Sequence, residues 1–141
     1  MVDINYVAVL AAAISNIVIG SFWYSPMSPT GKTWMKLSGH KMDPAKAKSP
    51  EMMKLYAMAS VAALVMAYVL AHILAFADAA GIGNGVMAGI VGGLWVAIGF
   101  IATSFLNSVL WEGKPWMLYA VNVGYYLVAL PVMGAILAAL G

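Results

Sequence analysis

The stretch GSFWYSP, Gly20 to Pro26, closes a nearly unbroken apolar run with two large amphipathic aromatics and then a Ser-Pro stop. It could end a soluble core helix, mark a membrane boundary, or belong to a site. The run behind it begins at Ile4 and is interrupted only by Asn5, Ser15, Asn16 and Ser21. That gives it the roughly 20 residues needed to cross a hydrocarbon core of about 30 Å. Trp23 and Tyr24 then stand where ring faces are apolar and polar tips reach water, as in an aromatic belt. Pro26 biases Ser25 away from helical geometry. The stretch reads as a membrane boundary.

The remaining sequence agrees. Of 141 residues, 64% are hydrophobic and 9% charged, against about 45–50% and about 25% in a soluble domain. A soluble fold could not bury that surplus. The apolar residues fall in four blocks, so the expected fold is all-α, a polytopic membrane protein whose single domain spans 1–141. Its transmembrane helices are expected at about 4–24, 50–80, 85–111 and 115–140, with a lysine-rich loop at 25–54. The first block continues past Ala11, Ala12 and Ala13, and no Lys or Arg precedes Lys32, so it is expected to be a retained span rather than a cleaved signal peptide. Asp3 is expected to cap this helix, and Ser49 the second, with Pro50 at its first position and Glu51 at its positive end. Gly81 is the expected stop of the second helix, Asn84 the cap of the third, and Pro131 should kink the fourth. The third and fourth spans are long for a bilayer, which calls for some tilt.

Lysines decide orientation. All seven cationic side chains are lysines. Lys32, Lys36, Lys41, Lys46, Lys48 and Lys54 lie in or beside the first loop, and Lys114 in the turn between the third and fourth spans. Four spans put both segments on one side and the termini with the 77–85 loop on the other. By the positive-inside rule the lysine side is cytoplasmic and both termini are outside. Trp23, Tyr24, Trp34, Tyr56, Trp111, Trp116 and Tyr119 cluster at the same inner boundary, whereas the outer one has little beyond Tyr6. So large a charge bias argues against dual-topology insertion. Within the loop, GKTWMKL, Gly31 to Leu37, is expected to be a solvated segment with one anchoring tryptophan. Alternatively, Trp34, Met35 and Leu37 lie at headgroup level while Lys32 and Lys36 reach water or anionic lipid.

Gly20, Trp23, Tyr24, Ser25 and Pro26, followed by Gly31, Lys32 and Trp34 and by a late Gly124-Tyr125, resemble a small bacterial membrane family catalogued as domain of unknown function 1761. The resemblance covers nearly the whole chain. It implies a four-helix fold and a bacterial origin, hence the cytoplasmic (inner) membrane, and carries over no catalytic residue.

Residue inventory excludes several activities. There is no cysteine and no arginine, which removes disulfides, thiolate metal sites, dithiol redox chemistry and the bidentate fork used to clamp carboxylates or phosphates. A net charge of +2 argues against a nucleic-acid partner. No Asp, Glu, Lys or Arg falls inside a span except near its ends, so a proton-coupled exporter lacks its embedded carboxylate. The polar groups left at membrane depth are Asn16, His72 with Tyr68 one turn before it, Asn107 and Asn122. These are candidates for a polar pocket or for hydrogen bonds between helices. A haem on His72 would need two subunits, the spans holding no second histidine. No cofactor and no metal is expected.

Small residues form ridges. Ala59, Ala63, Ala67, Ala71, Ala75 and Ala79 recur every fourth position in the second span, and Gly85, Gly89, Gly93 and Ala97 in the third. This predicts that those two helices pack closely. A parallel two-plus-two repeat is also expected from GKTWM at Gly31 and GKPWM at Gly113, each followed by a span bearing LYA, at Leu55 and Leu118. The expected function is that of a non-catalytic helix-packing protein, a homo-oligomer or an accessory subunit of a larger membrane complex. Its partners are then the lipid bilayer and itself or another membrane protein. A channel or carrier for a small neutral or weakly charged solute is the alternative. A wet cavity reaching Asn16 and His72 would favour transport, and a dry bundle with an apolar outer groove would favour packing.

Overall fold

A computed structural model describes residues 2–40 and 44–141; Lys41 lies outside the described residues. The chain is all-helical among these. Helices α1 (Tyr6–Trp23), α3 (Pro50–Ala79), α4 (Gly85–Leu110) and α5 (Trp116–Leu140) are long and apolar enough to cross a membrane. They match the four expected spans to within two residues at each end. Helix α2 (Pro29–Ser38) lies between the first two.

Local chemistry sets the ends. Asn5, not Asp3, caps α1: its side chain accepts from the Val7 and Ala8 amides, and its own amide ties the helix to the Leu140 carbonyl of α5. Ser49 caps α3 by accepting from Met52, with Pro50 following it as expected. Gly81 and Gly113 adopt the left-handed conformation just past α3 and α4, at φ 71° and 69°. Asn84 holds the N-cap position of α4 but its side chain makes no capping bond there, and its amide donates to Asp78.

The expected solvated loop contains an ordered helix instead. Ser28 caps α2 by accepting from Gly31, Pro29 occupies the first turn, and Gly39 ends it at φ 77°. This is the Ser-Pro start and glycine stop that a ten-residue helix needs.

Packing is organised around α5. It supplies ten buried residues where α3 supplies three, and it touches every other helix, α4 and α1 most extensively. The glycine ridge of α4 packs on α5, which corrects the expected pairing of the second and third spans. A Cβ added at Gly89 would lie 2.2 Å from the Gly134 carbonyl oxygen, one at Gly134 2.0 Å from that of Gly89, and one at Gly93 2.3 Å from that of Leu130. Only glycine permits this approach. The alanines of α3 pack elsewhere: Ala63 and Ala67 join Ala8 and Ala12 of α1 in the buried core. Helices α3 and α4 meet only slightly.

This arrangement departs from a two-plus-two repeat. A twofold relation would make the α1–α5 and α3–α4 contacts equivalent, yet the first is extensive and the second slight. Trp23 is half-buried and hydrogen-bonded to α5, whereas its supposed counterpart Trp111 is 81% exposed.

One turn of α4 is irregular. Ala97–Ala102 is wound as a π-helix, which loosens the regular ladder. Hydroxyl groups sit on its carbonyls: Thr103 donates to Gly99, Ser104 to Phe100 and the Tyr119 phenol of α5 to Ala102.

Candidate functional site: a polar lock and an apolar cleft

The opening stretch is where the bundle is locked. Trp23 and Tyr24 do more than mark the boundary, for both turn inward. The Trp23 indole donates to the Val121 carbonyl of α5 at 2.9 Å, and the Tyr24 phenol donates to Oδ1 of Asn122 at 2.8 Å. One turn deeper, the Tyr125 phenol donates to both the side-chain oxygen and the backbone carbonyl of Asn16. The Asn16 amide points to the sulfurs of Met66 and Met133, each at 3.5 Å. Such soft acceptors satisfy the group weakly, but no buried side-chain nitrogen or oxygen lacks a partner among the described residues.

Two glycines make room for these rings. A Cβ at Gly124 would come within 3.0 Å of the Trp23 ring, and one at Gly20 within 3.2 Å of the Tyr125 hydroxyl. Pro26 occupies the second position of the Ser25–Ser28 turn, closed by Ser28 N–H donating to Ser25 at 3.0 Å. That turn drops α2 back onto α1. The Ser28 and Thr30 hydroxyls both donate to the Trp23 carbonyl, and Gly31 lies so close that an added Cβ would be 1.8 Å from the Ser25 oxygen. Trp34 then packs edge-on against Tyr24, with ring centroids 5.5 Å apart, and stacks on His40 at 5.4 Å. Thus Gly20, Trp23, Tyr24, Pro26, Trp34, Asn16 and Asn122, scattered in the sequence, form one assembly with Tyr125. The assembly contains phenols, carboxamides and two indoles, with the His40 imidazole stacked on Trp34 at its edge. Its phenols and carboxamides bond to one another rather than into an open space.

The other sequence candidates lie apart. Tyr68 and His72 do share a face of α3: the rings are 4.4 Å apart and Nδ1 of His72 lies 2.9 Å from the Tyr68 carbonyl. Tyr68 is exposed on the outside of the bundle. Asn107 is exposed on α4 and joins neither group. Sequence reading did not connect Tyr125 with Asn16. The signal available was Gly20, four residues after Asn16, whose missing side chain makes room for the Tyr125 hydroxyl.

At the opposite end, where none of the described lysines lies, the slight α3–α4 contact leaves a cleft of about 920 Å³. Ala71, Leu74 and Ala75 wall it on α3, Ala88, Gly92 and Val96 on α4, and Leu137 and Ala138 of α5 form its floor. Asp3, Asp78 and Asn84 stand at its mouth, and neither Asn16 nor His72 reaches it.

No curated protein and no solved structure matches this chain. One family model does, over residues 7–138, thereby taking in the motif of α1, the docked α2 and the Gly124-Tyr125 pair that receives them. The chain belongs to the family described as Protein of unknown function (DUF1761).

Proposed function

We propose that the protein is a non-catalytic helix-packing component of the bacterial cytoplasmic membrane, acting as a homo-oligomer or as an accessory subunit of a larger membrane complex. The observation that carries this reading is the separation of polarity from space. The polar groups at the lock bond to one another, while the α3–α4 cleft is walled along its length by apolar and small side chains, has its polar residues Asp3, Asn5, Asp78 and Asn84 gathered at one end, and reaches neither Asn16 nor His72. A solute path would need polar groups lining an open space through the depth of the bundle rather than at one end. Helix α3 supports an assembling role, since 30 residues of it bury only Ala63, Ala67 and Leu70. The lysine-bearing end is cytoplasmic and both termini are outside.

The test is purification in a mild detergent followed by native mass measurement. A multiple of the subunit mass, or a co-purifying membrane protein in fixed ratio, is the expected result. A bare monomer, also seen after cross-linking in membranes, would overturn the assembly.

A further inference from the structure

The α3–α4 cleft lies at membrane depth, and its shape restricts what fills it. Its lining on α4 runs from Gly85 to Phe100, a length of roughly 22 Å at about 1.5 Å per residue. One leaflet of hydrocarbon is about 15 Å deep, so the cleft spans a leaflet. Its volume of about 920 Å³ falls at the upper end of the roughly 300–1,000 Å³ of small-molecule sites. Small residues line it, Ala71 and Ala75 on α3 and Ala88 and Gly92 on α4, and larger side chains at these positions would narrow it. Trp95 and Phe100 flank the deep end and are themselves largely exposed. The surrounding solvent of such a slot is acyl chain.

The mouth restricts the headgroup. Asp3 and Asp78 line it, and the described lysines lie near the other end of the bundle. Among the described residues the carboxylates therefore have no cationic side-chain partner. Two helix ends of opposite sign meet at the same place: the C-terminus of α3, with Ala77 and Asp78, and the N-terminus of α4, with Asn84 and Gly85. The Asn84 amide donates to Asp78 and its side-chain oxygen makes no capping bond, so the first-turn N–H groups of α4 have no side-chain acceptor at the N-cap. An ammonium is complementary to the carboxylates and the α3 terminus, and a phosphodiester to the α4 terminus. An anionic headgroup without an ammonium meets the carboxylates unfavourably.

We propose that the α3–α4 cleft is a lipid site that seats one acyl chain of a zwitterionic, primary-ammonium glycerophospholipid from the leaflet at the end opposite the described lysines. Its ammonium lies on Asp3 and Asp78, and its phosphate at the start of α4. The site goes beyond the packing role and does not depend on the number of subunits.

The test uses the full chain in nanodiscs of equimolar phosphatidylethanolamine and phosphatidylglycerol, with retained lipid identified by native mass spectrometry. Phosphatidylethanolamine should exceed phosphatidylglycerol among retained lipids by about fivefold, the worth of one partly exposed charge pair. Asp3→Asn with Asp78→Asn should bring the ratio near unity, and Ala75→Phe should abolish retention while the helical content is unchanged. Equal or reversed lipid preference in the unaltered protein overturns the headgroup assignment, and retention unchanged in Ala75→Phe overturns the seat. If Ala75→Phe fails to fold, the carboxylate variants still decide. A Trp95→Cys variant that forms an interchain disulfide at high yield would show a second copy in the cleft and would likewise overturn the proposal. Subunit number is read separately from the same spectra, so failure of the assembly reading is distinguishable from failure of this one.

Discussion

The Tyr125 phenol donates to the side chain and to the backbone carbonyl of Asn16, so one hydroxyl satisfies two acceptors that have no water to turn to. Tyr125→Phe removes that donor without changing ring packing against Tyr24 and Tyr126. The expected loss is about 1–2 kcal/mol, as for hydrogen bonds between membrane helices and for buried acceptors left unmade. Asn16→Leu removes the acceptor side chain. In the double variant the second change should cost less than it does alone, with a coupling of about 0.6–2 kcal/mol. Denaturant titration of the four proteins in detergent measures this, and strictly additive losses would show that the two residues do not act together. At this scale the sequence was partly legible. Asn16 and Asn122 stood out because polar groups at membrane depth are costly, and Trp23 and Tyr24 because they end an apolar run. Their meeting was not legible, since Tyr24 and Asn122 are 98 residues apart and nothing local says which helix α1 faces.

Helix pairs in a bilayer gain little from apolar burial, so close backbone approach and polar contacts select partners. Gly89 and Gly134 each block a side chain on the other, and this reciprocity is the strongest determinant of the α4–α5 pair. Either residue changed to alanine should lower stability by about 1–3 kcal/mol through overpacking. Gly99 on the same helix has no atom within 4 Å of an added Cβ, and Gly99→Ala should be neutral or stabilising by up to about 1 kcal/mol. Thermal unfolding followed by circular dichroism distinguishes these; equal effects at the three sites would mean that the crossing is loose. Gly31 tests the other junction. In Gly31→Ala the new Cβ would collide with the Ser25 carbonyl, so α2 should lift from α1 and expose its backbone. Trypsin should then cleave after Lys32 and Lys36 several-fold faster than in the unaltered protein, and unchanged digestion would show that α2 needs no close contact. The four spans were legible because each carries an apolar run and a start or stop residue. Ser28, Pro29 and Gly39 were equally visible signals for α2, but lysines and prolines around them read as loop. The π-helical turn carries no sequence mark that periodicity detects, because its hydroxyl partners Thr103, Ser104 and Tyr119 are recognised only when the carbonyls they meet are in place.

Across the whole molecule, segregation by charge survives folding. Helix α2 carries Lys32 and Lys36 on its exposed side, and the described lysines that follow lie in or near the same loop or in the α4–α5 turn. Asp3 and Asp78 stand at the opposite end. This polarity was legible in sequence since it depends only on counting along four alternating spans. The adjacency of the spans was not, because four antiparallel helices can be ordered in several ways that share one hydropathy profile. A repeat of short motifs suggested the symmetric order, whereas contacts at Gly89, Gly134 and Tyr125 select one with α5 at the centre. Orientation remains testable apart from packing. The chain has no cysteine, so a single one introduced at an exposed loop position reports its side without background. Lys48→Cys lies in the α2–α3 connection and Gly83→Cys in the α3–α4 turn. Positive residues resist translocation, and all seven are lysines on one side of the predicted topology. A membrane-impermeant maleimide added to intact cells should therefore label Gly83→Cys and leave Lys48→Cys unmodified until the membrane is opened. Reversed labelling would place the lysines outside and remove the charge argument. Labelling of both sites in intact cells would mean two orientations, which the uneven charge disfavours because either inverted copy would carry its lysines across the bilayer.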